Sequence, residues 1–280
     1  MWVSLNGKFV AEEQAVVSVF DRSFRYGDGI FEAILVRRGK LFRWQQHAER
    51  FNRSAQFLKM ALPCPLHELH TTAQELMAMN AAQEAVLRIQ LSRGTGPRGY
   101  APSGDEKPVL VMSLHPAPDR EALAHSRWKL TVSSLRIPAG DPLSHHKTCS
   151  RLIQVLAAAE ARERGADEAL LINTDGHVTE GSTSNVFWIE NGKVCTPAVA
   201  VGALAGVTRA AVLELCDSLK VPRTEQSITP ADLFSRDGVF LSLTTSGIVE
   251  AASIDGKPLR SSPVAAVLQR KFEALVEREC

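Results

Sequence analysis

Short apolar or β-prone runs recur along the chain, some of them with alternating apolar and polar residues, and predict β-strands. Such strands are expected at residues 29–37, 86–92, 109–114, 130–135, 169–173, 186–190 and 239–243. The first ten residues read as two further strands joined by Asn6-Gly7, a dipeptide typical of tight hairpins. The predicted strands are therefore spread over the whole chain.

Apolar residues that recur every three or four positions predict helices between these strands. Helices are expected at residues 44–58, 67–79, 151–164, 208–220 and 263–271. Ser150 suits the N-cap of the third helix and Gly165 its stop, while Thr208 suits the cap of the fourth. Because strands and helices mix without strict β-α-β alternation, the pattern predicts the α+β class.

The chain has 280 residues, which is enough for two domains with their own cores. Pro116, Pro118 and mixed charges predict a linker at residues 119–127, between a small α/β domain at 1–118 and a larger one at 128–280. A glycine- and proline-rich loop at 93–108 is unusually long, and such loops are often functional.

Composition excludes several classes of function. The net charge is +1 without a basic block, so neither nucleic acid nor an anionic membrane is an expected partner. Five cysteines, an odd number without a Cys-x-x-Cys pair, favour a reducing compartment over a disulfide framework. The start of the chain lacks a signal-peptide pattern and no apolar run is long enough to span a membrane, so a cytoplasmic location is expected.

Lys147 and Glu180 are candidate partners in one site. Lys147 precedes a predicted helix and Glu180 follows the next strand, so their side chains can converge on one pocket. A lysine amine and a carboxylate suit pyridoxal 5′-phosphate (PLP), because the amine forms a Schiff base with the aldehyde and the carboxylate holds the pyridinium proton. The ordinary alternatives are an exposed surface lysine and an exposed turn carboxylate. His145 and His146 are adjacent and point to opposite faces of a strand, so no metal site is expected.

A phosphate site is suggested by two further segments. Gly206-Val207-Thr208 opens a helix, whose N–H groups and dipole favour an anion. Thr244 and Thr245 end a strand in a run of hydroxyls that could contact the same phosphate, and Arg50 is a candidate ligand if it points inward. The alternatives are a simple helix cap, a plain turn and a solvated arginine.

Candidate substrate contacts lie in the first half of the chain. Arg93 and Arg98 stand on the glycine-rich loop, whose spacing matches neither nucleotide-binding motif and suits a substrate carboxylate better. Tyr26 and Phe31 flank the tight turn into the first long strand, where they either line a pocket or pack in the core.

Taken in order, these segments resemble the fold-type IV PLP enzymes, or class IV aminotransferases. The similar stretches are Tyr26-Gly-Asp-Gly-Ile-Phe-Glu32, His47-x-x-Arg50, Arg93-Gly-x-x-x-Arg98, Lys147, Glu168-Ala169, Val178-Thr-Glu180-Gly-Ser-x-Ser-Asn185, Thr196-Pro197, Gly206-x-Thr208-Arg209 and Ile254-Asp-Gly256. The resemblance implies two α/β domains with PLP between them, and a homodimer in which the partner contributes to each pocket.

The resemblance also implies roles for individual residues. Lys147 is the Schiff-base lysine and proton carrier, and Glu180 is the partner of the ring nitrogen. The implied phosphate ligands are Arg50, Val207, Thr208 and Thr244. The implied substrate contacts are Tyr26, Phe31, Arg93, Arg98 and Thr245.

The expected reaction is transfer of an amino group between an amino acid, of branched-chain or D type, and a 2-oxo acid. Two stretches, Ser92-Arg-Gly-Thr-Gly-Pro-Arg-Gly-Tyr100 and Lys147-x-x-x-Arg151-Leu-x-Gln154, resemble lyases that cleave aminodeoxychorismate to 4-aminobenzoate and pyruvate. D-amino-acid transaminases have tyrosine at the position of Phe31 and an arginine-x-histidine pair where this chain has Arg98-Gly99-Tyr100. A binding module without catalytic activity is the alternative of another class.

Overall fold

The computed structural model of the protein describes residues 1–119 and 126–280. By its internal packing the chain forms two compact units. The first unit consists of residues 1–117, 146–151 and 279–280, and the second of residues 118–145 and 152–278 apart from the six that are not described. Most of the expected linker at 119–127 lies outside the described residues, and the division at 118 and 128 stays a prediction.

The first unit is a six-stranded antiparallel sheet covered by helices. Its elements are β1 (Trp2–Leu5), β2 (Lys8–Ala11), α1 (Arg22–Tyr26), β3 (Gly29–Arg37), β4 (Lys40–Leu41), α2 (Trp44–Phe57), α3 (Leu66–Met79), β5 (Glu84–Ser92) and β6 (Val109–Pro116). The strand order is β2-β1-β6-β5-β3-β4. In the β3–β5 ladder, Phe31 pairs with Gln90 and Glu32 with Ile89, so one face of β3 carries Phe31 and the other Glu32.

The core of this unit lies between the sheet and the two long helices. Ile30 and Ile34 on β3, Leu87 on β5 and Leu69 on α3 are at most 1% exposed. Each such side chain contributes about 2 kcal/mol by leaving water. This packing places helix α2 against the face of β3 that carries Ile30 and Ile34.

The second unit is built around a nine-stranded mixed sheet. Its elements are β7 (Arg127–Ile137), α4 (Leu152–Glu163), β8 (Glu168–Asn173), β9 (Val178–Gly181), β10 (Asn185–Glu190), β11 (Lys193–Thr196), α5 (Val207–Ser218), β12 (Arg223–Glu225), α6 (Pro230–Leu233), β13 (Gly238–Leu243), β14 (Gly247–Ile254), β15 (Lys257–Pro258) and α7 (Pro263–Glu279). The order is β12-β11-β10-β13-β14-β7-β8-β9, with β15 paired to β14.

Central strands of the second sheet are buried on both faces. All six residues of β8 and of β13 are buried, so both faces of these strands are covered and their sequences do not alternate between apolar and polar residues. Helix α4 packs on β7 and β8 through Ala157 and Ala161, whose small side chains allow close approach. This packing fixes the edge of the sheet formed by β8 and β9, which carries Glu180.

The expected α+β class is confirmed, and the predicted strands and helices are present with small shifts at their ends. Three predicted boundaries are wrong. The helix expected at 151 begins at Leu152, because the side chain of Arg151 bonds back to the preceding segment. The helix expected to begin with Thr208 as its cap has Gly206 as its N-cap. The last helix runs on to Glu279, because Phe272, Leu275 and Val276 continue its buried face.

No helix in the described part of the chain has the length and apolarity needed to cross a membrane.

Candidate active site

Lys147 lies in an extended segment that bonds to the first residues of β3. Thr148 forms an antiparallel bridge with Ile30. The Phe31 N–H donates to the Lys147 carbonyl at 2.9 Å, and the Cys149 N–H donates to the Gly29 carbonyl at 2.8 Å. These backbone bonds join residues 146–151 to the first unit.

The pairing places Lys147 beside Phe31 on one face of the sheet. Lys147 Nζ lies 4.6 Å from the centroid of the Phe31 ring. The Arg88 guanidinium lies 4.0 Å from the same centroid. Phe31 is thus a flat apolar surface with two cations against it, and the two positive charges favour an anionic ligand near this face.

Two glycines of the Tyr26-Gly-Asp-Gly motif allow the lysine segment to approach β3. Gly27 has a φ of +69°, and a Cβ there would lie 3.0 Å from Ser150 Cα. A Cβ on Gly29 would lie 2.7 Å from the Leu91 carbonyl oxygen and 3.2 Å from Cys149 Sγ. Side chains at either position would push the lysine segment away from the sheet.

Arg50 points inward, as the phosphate hypothesis requires, and is fixed by a buried carboxylate. Its Nε donates to Glu32 Oε1 and its Nη2 to Glu32 Oε2, both at 2.7 Å. Glu32 is 1% exposed, in the apolar row of β3 between Ile30 and Ile34. Two parallel hydrogen bonds fix the plane of the guanidinium as well as its position.

The charge on Glu32 is stabilised by its neighbours. Burial alone raises the pKa of this carboxyl, but the Arg50 charge and hydrogen bonds from Arg50 and His47 outweigh it and lower the pKa to about 2. His47 Nδ1 lies 2.8 Å from Glu32 Oε2. Burial lowers the pKa of His47, Glu32 opposes the shift, and the charges of Arg50 and Lys147 lower the pKa further. The cluster therefore holds one carboxylate, one guanidinium and a neutral imidazole at pH 7.

One face of α2 contacts both this cluster and the lysine segment. His47 and Arg50 bond to Glu32, and one to two turns further along α2 Ser54 Oγ lies 3.1 Å from His146 Nδ1. The Phe57 ring stacks on the His146 ring with centroids 4.0 Å apart. A single helix thus aligns Arg50 with the residue that precedes Lys147.

The arginines of the glycine-rich loop have different environments. Arg93 Nε donates to Asp28 Oδ2 at 2.8 Å and its Nη2 to the Leu58 carbonyl at 2.9 Å. Burial raises the pKa of Asp28, but hydrogen bonds from Arg93 and Arg22 outweigh it and lower the pKa. Arg93 therefore braces the base of the loop, whereas Arg98 is exposed near its tip.

The tip of the loop contacts Tyr26. The Gly99 N–H donates to Tyr26 Oη at 3.4 Å, and the rings of Tyr26 and Tyr100 meet edge to face at 5.5 Å. Arg25 Nη2 donates to Tyr26 Oη at 2.6 Å. The structure thus brings Tyr26 to the loop that carries Arg98, within the first unit.

Sequence reasoning missed a cavity on the Phe31 face of the first sheet. Its volume is about 290 Å³, and its lining includes Asp21, Arg88, Gln90 and Cys149. The only sequence signal was a pair of polar residues, Arg88 and Gln90, on alternate positions of β5.

In the second unit, Glu180 and Asn185 hold the segment that leads into α5. Glu180 Oε2 accepts the Leu204 N–H at 2.8 Å, and Asn185 Nδ2 donates to the Leu204 carbonyl at 2.9 Å. A Cβ on Gly206 would lie 2.0 Å from Asn185 Oδ1, so only glycine fits the helix start. The structure therefore brings Glu180 together with the predicted phosphate segment at residues 206–208.

The start of α5 has the form of an anion site. Its N-cap Gly206 supplies no side-chain acceptor for the first N–H groups, and Val207 and Thr208 are buried at 5% and 4% exposure. The helix is 12 residues long, so its dipole adds to the attraction for an anion. Helix α5 packs on β13, and Thr244 and Thr245 follow the last residue of that strand.

A second buried carboxylate, also missed as a site residue, shapes the turn after Glu180. Glu168 is 2% exposed and accepts hydrogen bonds from Ser182, Thr183 and Ser184. The turn residues and the Ala169 N–H direct six donors at one carboxylate. The available signal was an acidic residue at the start of an apolar strand, followed further on by a run of hydroxyls.

Relatives with known names have similar sequences over nearly the whole chain. A Methanocaldococcus jannaschii protein, whose name assigns it provisionally to the branched-chain-amino-acid aminotransferases, is 34% identical over 98% of this chain and 96% of its own. The D-alanine aminotransferase of Staphylococcus epidermidis is 34% identical, with 98% of both chains covered. The aminodeoxychorismate lyase of Vibrio harveyi is 33% identical over 86% of this chain and 88% of its own.

Solved structures of similar proteins have the same fold. The branched-chain aminotransferase of Thermoproteus uzoniensis, solved with norvaline, superposes with a TM-score of 0.93 at 29% identity, covering 100% of this chain and 95% of the other. The T.th. branched-chain amino acid aminotransferase, complexed with N-(5′-phosphopyridoxyl)-L-glutamate, gives 0.92 at 27% identity over 100% and 95%. The model of the family "Amino-transferase class IV" matches residues 29–254. The chain therefore belongs to the class IV aminotransferase family, as its motifs indicate.

Proposed function

We propose that the protein is a PLP-dependent aminotransferase that moves an amino group between an amino acid and a 2-oxo acid. The observation that carries the proposal is the lysine segment. The backbone of Lys147 is bonded to β3, while its amine lies against the ring of Phe31. Membership of the class IV family and the neighbour solved with a phosphopyridoxyl ligand support the choice of cofactor.

We propose that three groups of residues bind PLP. Lys147 is proposed to bind its aldehyde carbon, and Glu180 to hold the proton on its ring nitrogen. Arg50, the start of α5 at Val207 and Thr208, and Thr244 are proposed to bind its phosphate. Gly206 has no room for a Cβ next to Asn185 Oδ1, so only glycine allows Asn185 to pack this closely against the helix start.

When bound, PLP withdraws electrons from the α-carbon of the amino acid, which makes the α-proton removable. The chain's own part is to hold and move that proton. Lys147 would act as the general base that takes the proton from the substrate α-carbon and as the general acid that gives it up again. Glu180, held by the Leu204 N–H, keeps its carboxylate in a fixed orientation throughout.

Substrate selection is proposed to depend on the Phe31 face and on the glycine-rich loop. Phe31 and Tyr26 supply aromatic contacts, and Arg98 or Arg93 with Thr245 supplies polar ones. The ion pair of Arg93 with Asp28 favours Arg98 as the carboxylate ligand, because Arg98 is exposed while Arg93 already bonds to three acceptors. Branched-chain and D-amino acids are the two donor classes to be compared.

Exposed apolar side chains support a homodimer as the working form. In the first unit Val16, Val19, Phe20 and Phe24 are 64–74% exposed. In the second unit Leu152, Val155 and Leu156 form a stripe along α4 and are 48–67% exposed. Large apolar side chains in such groups mark protein–protein contacts.

A second candidate is an aminodeoxychorismate lyase. Two observations favour it. The Vibrio harveyi relative is named as such a lyase, and Arg151 lies four residues after Lys147, which is the spacing that resembles the lyases. The chain's own residues would bind PLP in the same way, and the product would be pyruvate.

The two functions are separated by a substrate panel. Purified protein with PLP is given L- and D-amino acids with 2-oxoglutarate or pyruvate, and the keto acid formed is measured. Aminodeoxychorismate is tested in parallel for release of pyruvate. A keto acid from at least one donor supports the aminotransferase. Pyruvate from aminodeoxychorismate without turnover of any amino donor would show that the lyase is correct.

A further inference from the structure

Within the described part of the chain, the lysine segment pairs with one neighbouring strand. Lys147 and Cys149 direct their bonding groups toward β3, where they meet Phe31 and Gly29. In a strand, alternate residues direct their backbone groups to opposite sides. The carbonyls of His146 and Thr148 therefore face away from β3, on the side where a further strand would lie.

The side chain of Arg151 lies on this side of the lysine segment and bonds to both carbonyls. Its Nη2 donates to the His146 carbonyl at 2.6 Å and its Nε to the Thr148 carbonyl at 3.1 Å. These two residues flank Lys147 directly. The planar guanidinium thus supplies two donors at a fixed spacing, as a neighbouring strand would.

We propose that Arg151 is a positioning residue for Lys147: its guanidinium takes the place of a further strand and fixes the backbone on both sides of the lysine. The proposal rests on the proposed function, since it assigns Lys147 the reacting amine. The Lys147 amine must reach two carbon atoms during turnover. Its position relative to each of them is accurate only if the backbone of Lys147 stays in place. Misplacement by about 1 Å can cost roughly a hundredfold in rate.

The anchoring on the two sides of Lys147 is unequal. His146 is also held through its side chain, by Ser54 and Phe57. On the other side of the lysine, the Thr148 carbonyl accepts its hydrogen bond from Arg151. Loss of the guanidinium should therefore loosen the Thr148 carbonyl just after Lys147, where the hydrogen bond from the Cys149 N–H to the Gly29 carbonyl would still hold that peptide group, while the residue before the lysine stays in place.

A lysine at position 151 should restore the function only in part. An ammonium is a compact charge without the two-pronged geometry of guanidinium, so it can bond well to one of the two carbonyls at a time. Since lysine has the same charge as arginine and a similar length, Arg151→Lys tests the two-pronged geometry, whereas Arg151→Met removes the charge as well.

The test compares Arg151→Met, Arg151→Lys and a matched control, Arg162→Met, which removes an exposed arginine from α4. Each protein is loaded with PLP, and four quantities are measured: kcat, KM, the pH midpoint of the visible absorbance and the midpoint of thermal unfolding. The absorbance midpoint reports the environment of the Lys147 nitrogen and does not depend on turnover. Lys147→Ala is included to test the proposed function itself by its loss of covalently bound PLP.

The expected result is a fall in kcat of about tenfold or more for Arg151→Met, with KM within about threefold and a displaced absorbance midpoint. Arg151→Lys should lie between this variant and the wild type, and Arg162→Met should match the wild type. An Arg151→Met protein with wild-type kcat and absorbance midpoint would overturn the proposal.

If Arg151→Met does not fold, the Arg151→Lys variant is the test. Wild-type values of kcat and of the absorbance midpoint in Arg151→Lys would show that a two-pronged donor is not needed, and would overturn the proposal. Covalent PLP in Lys147→Ala would instead refute the proposed function.

Discussion

A carboxylate occupies a core position on β3. Glu32 lies in the row of Ile30 and Ile34, and its charge is tolerated because Arg50 forms two hydrogen bonds to it and His47 a third. Burying an ion pair contributes little net stability, but removing one partner leaves the other charge buried without compensation. The arrangement therefore fixes the direction of Arg50.

Glu32→Gln should destabilise the protein by roughly 3 kcal/mol at pH 7, from the lowering of the carboxyl pKa from 4.5 to about 2. Because the pKa is depressed in the folded state, the stabilisation is present above pH 4.5 and is lost as the pH falls toward 2. Urea unfolding of wild type and variant should thus show a difference at pH 7 that is at least halved at pH 3.

A matched control is Glu84→Gln, which breaks an exposed ion pair with Arg37 in the same sheet. This change should cost less than about 1 kcal/mol at either pH. Equal losses for the two variants, or a Glu32→Gln difference that does not depend on pH, would refute the assigned charge state of the cluster.

Gly206→Ala should weaken PLP binding by about tenfold or more, because the new Cβ would lie 2.0 Å from Asn185 Oδ1 and displace the start of α5. The dissociation constant for PLP can be measured by the quenching of tryptophan fluorescence. Removing the obstructing side chain, in Gly206→Ala/Asn185→Ala, should recover part of the affinity. Wild-type affinity in the single variant would show that this glycine is not needed for the site.

Some site residues were predictable from the sequence alone and others were not. Lys147 and Glu180 stand in recognisable surroundings, so their candidacy could be stated before any contact was known. Glu32 and Glu168 could not be assigned, because their significance comes from donors far away in the chain, on α2 and in the turn after Glu180. A single sequence does not record such long-range pairs.

At the scale of elements, the glycine-rich loop is held against α1 by hydrogen bonds. Arg22, 2% exposed, donates from its Nη1 and Nη2 to the carbonyls of Gly99 and Tyr100 and from its Nε to Asp28. At the base of the loop, Gly94 has a φ of +101° and no room for a Cβ next to the Lys107 carbonyl. The loop tip that carries Arg98 is therefore held in one position.

Arg22→Met should release that tip. Limited proteolysis should cleave residues 96–104 several times faster than in the wild type, and KM for the amino donor should rise more than kcat falls. Arg53→Met, which removes an exposed arginine from α2, is the control and should leave both quantities unchanged. Unchanged proteolysis of Arg22→Met would contradict the role given to these hydrogen bonds.

The sequence predicted elements well where periodicity was strong, as in β3 and α2. The ends of other elements, such as α4 and α7, were less predictable, because tertiary contacts decide where these helices begin and end. Arginine has a high helix propensity, so the sequence predicted that α4 begins at Arg151. In the structure its guanidinium instead donates to the carbonyls of the lysine segment, and the helix begins one residue later. The pairing of the lysine segment with β3 was not predictable either, because it joins residues more than a hundred positions apart.

At the scale of the whole molecule, the exposed apolar stripe on α4 is the feature that most needs a partner. Val155→Asp places a charge in the middle of this stripe, beside Leu152 and Leu156. If α4 contributes to a homodimer contact, the variant should have half the wild-type mass by light scattering after size-exclusion chromatography. A variant with the wild-type mass would exclude this face from the contact.

Lys147 is the residue proposed to carry the cofactor, and borohydride reduction tests this assignment directly. The PLP-loaded protein is reduced and digested, and the modified peptide is identified by mass spectrometry. We expect a pyridoxyl group on Lys147, loss of this group after incubation with an amino donor before reduction, and none in Lys147→Ala. A pyridoxyl group on another lysine, or an equal yield in Lys147→Ala, would contradict it.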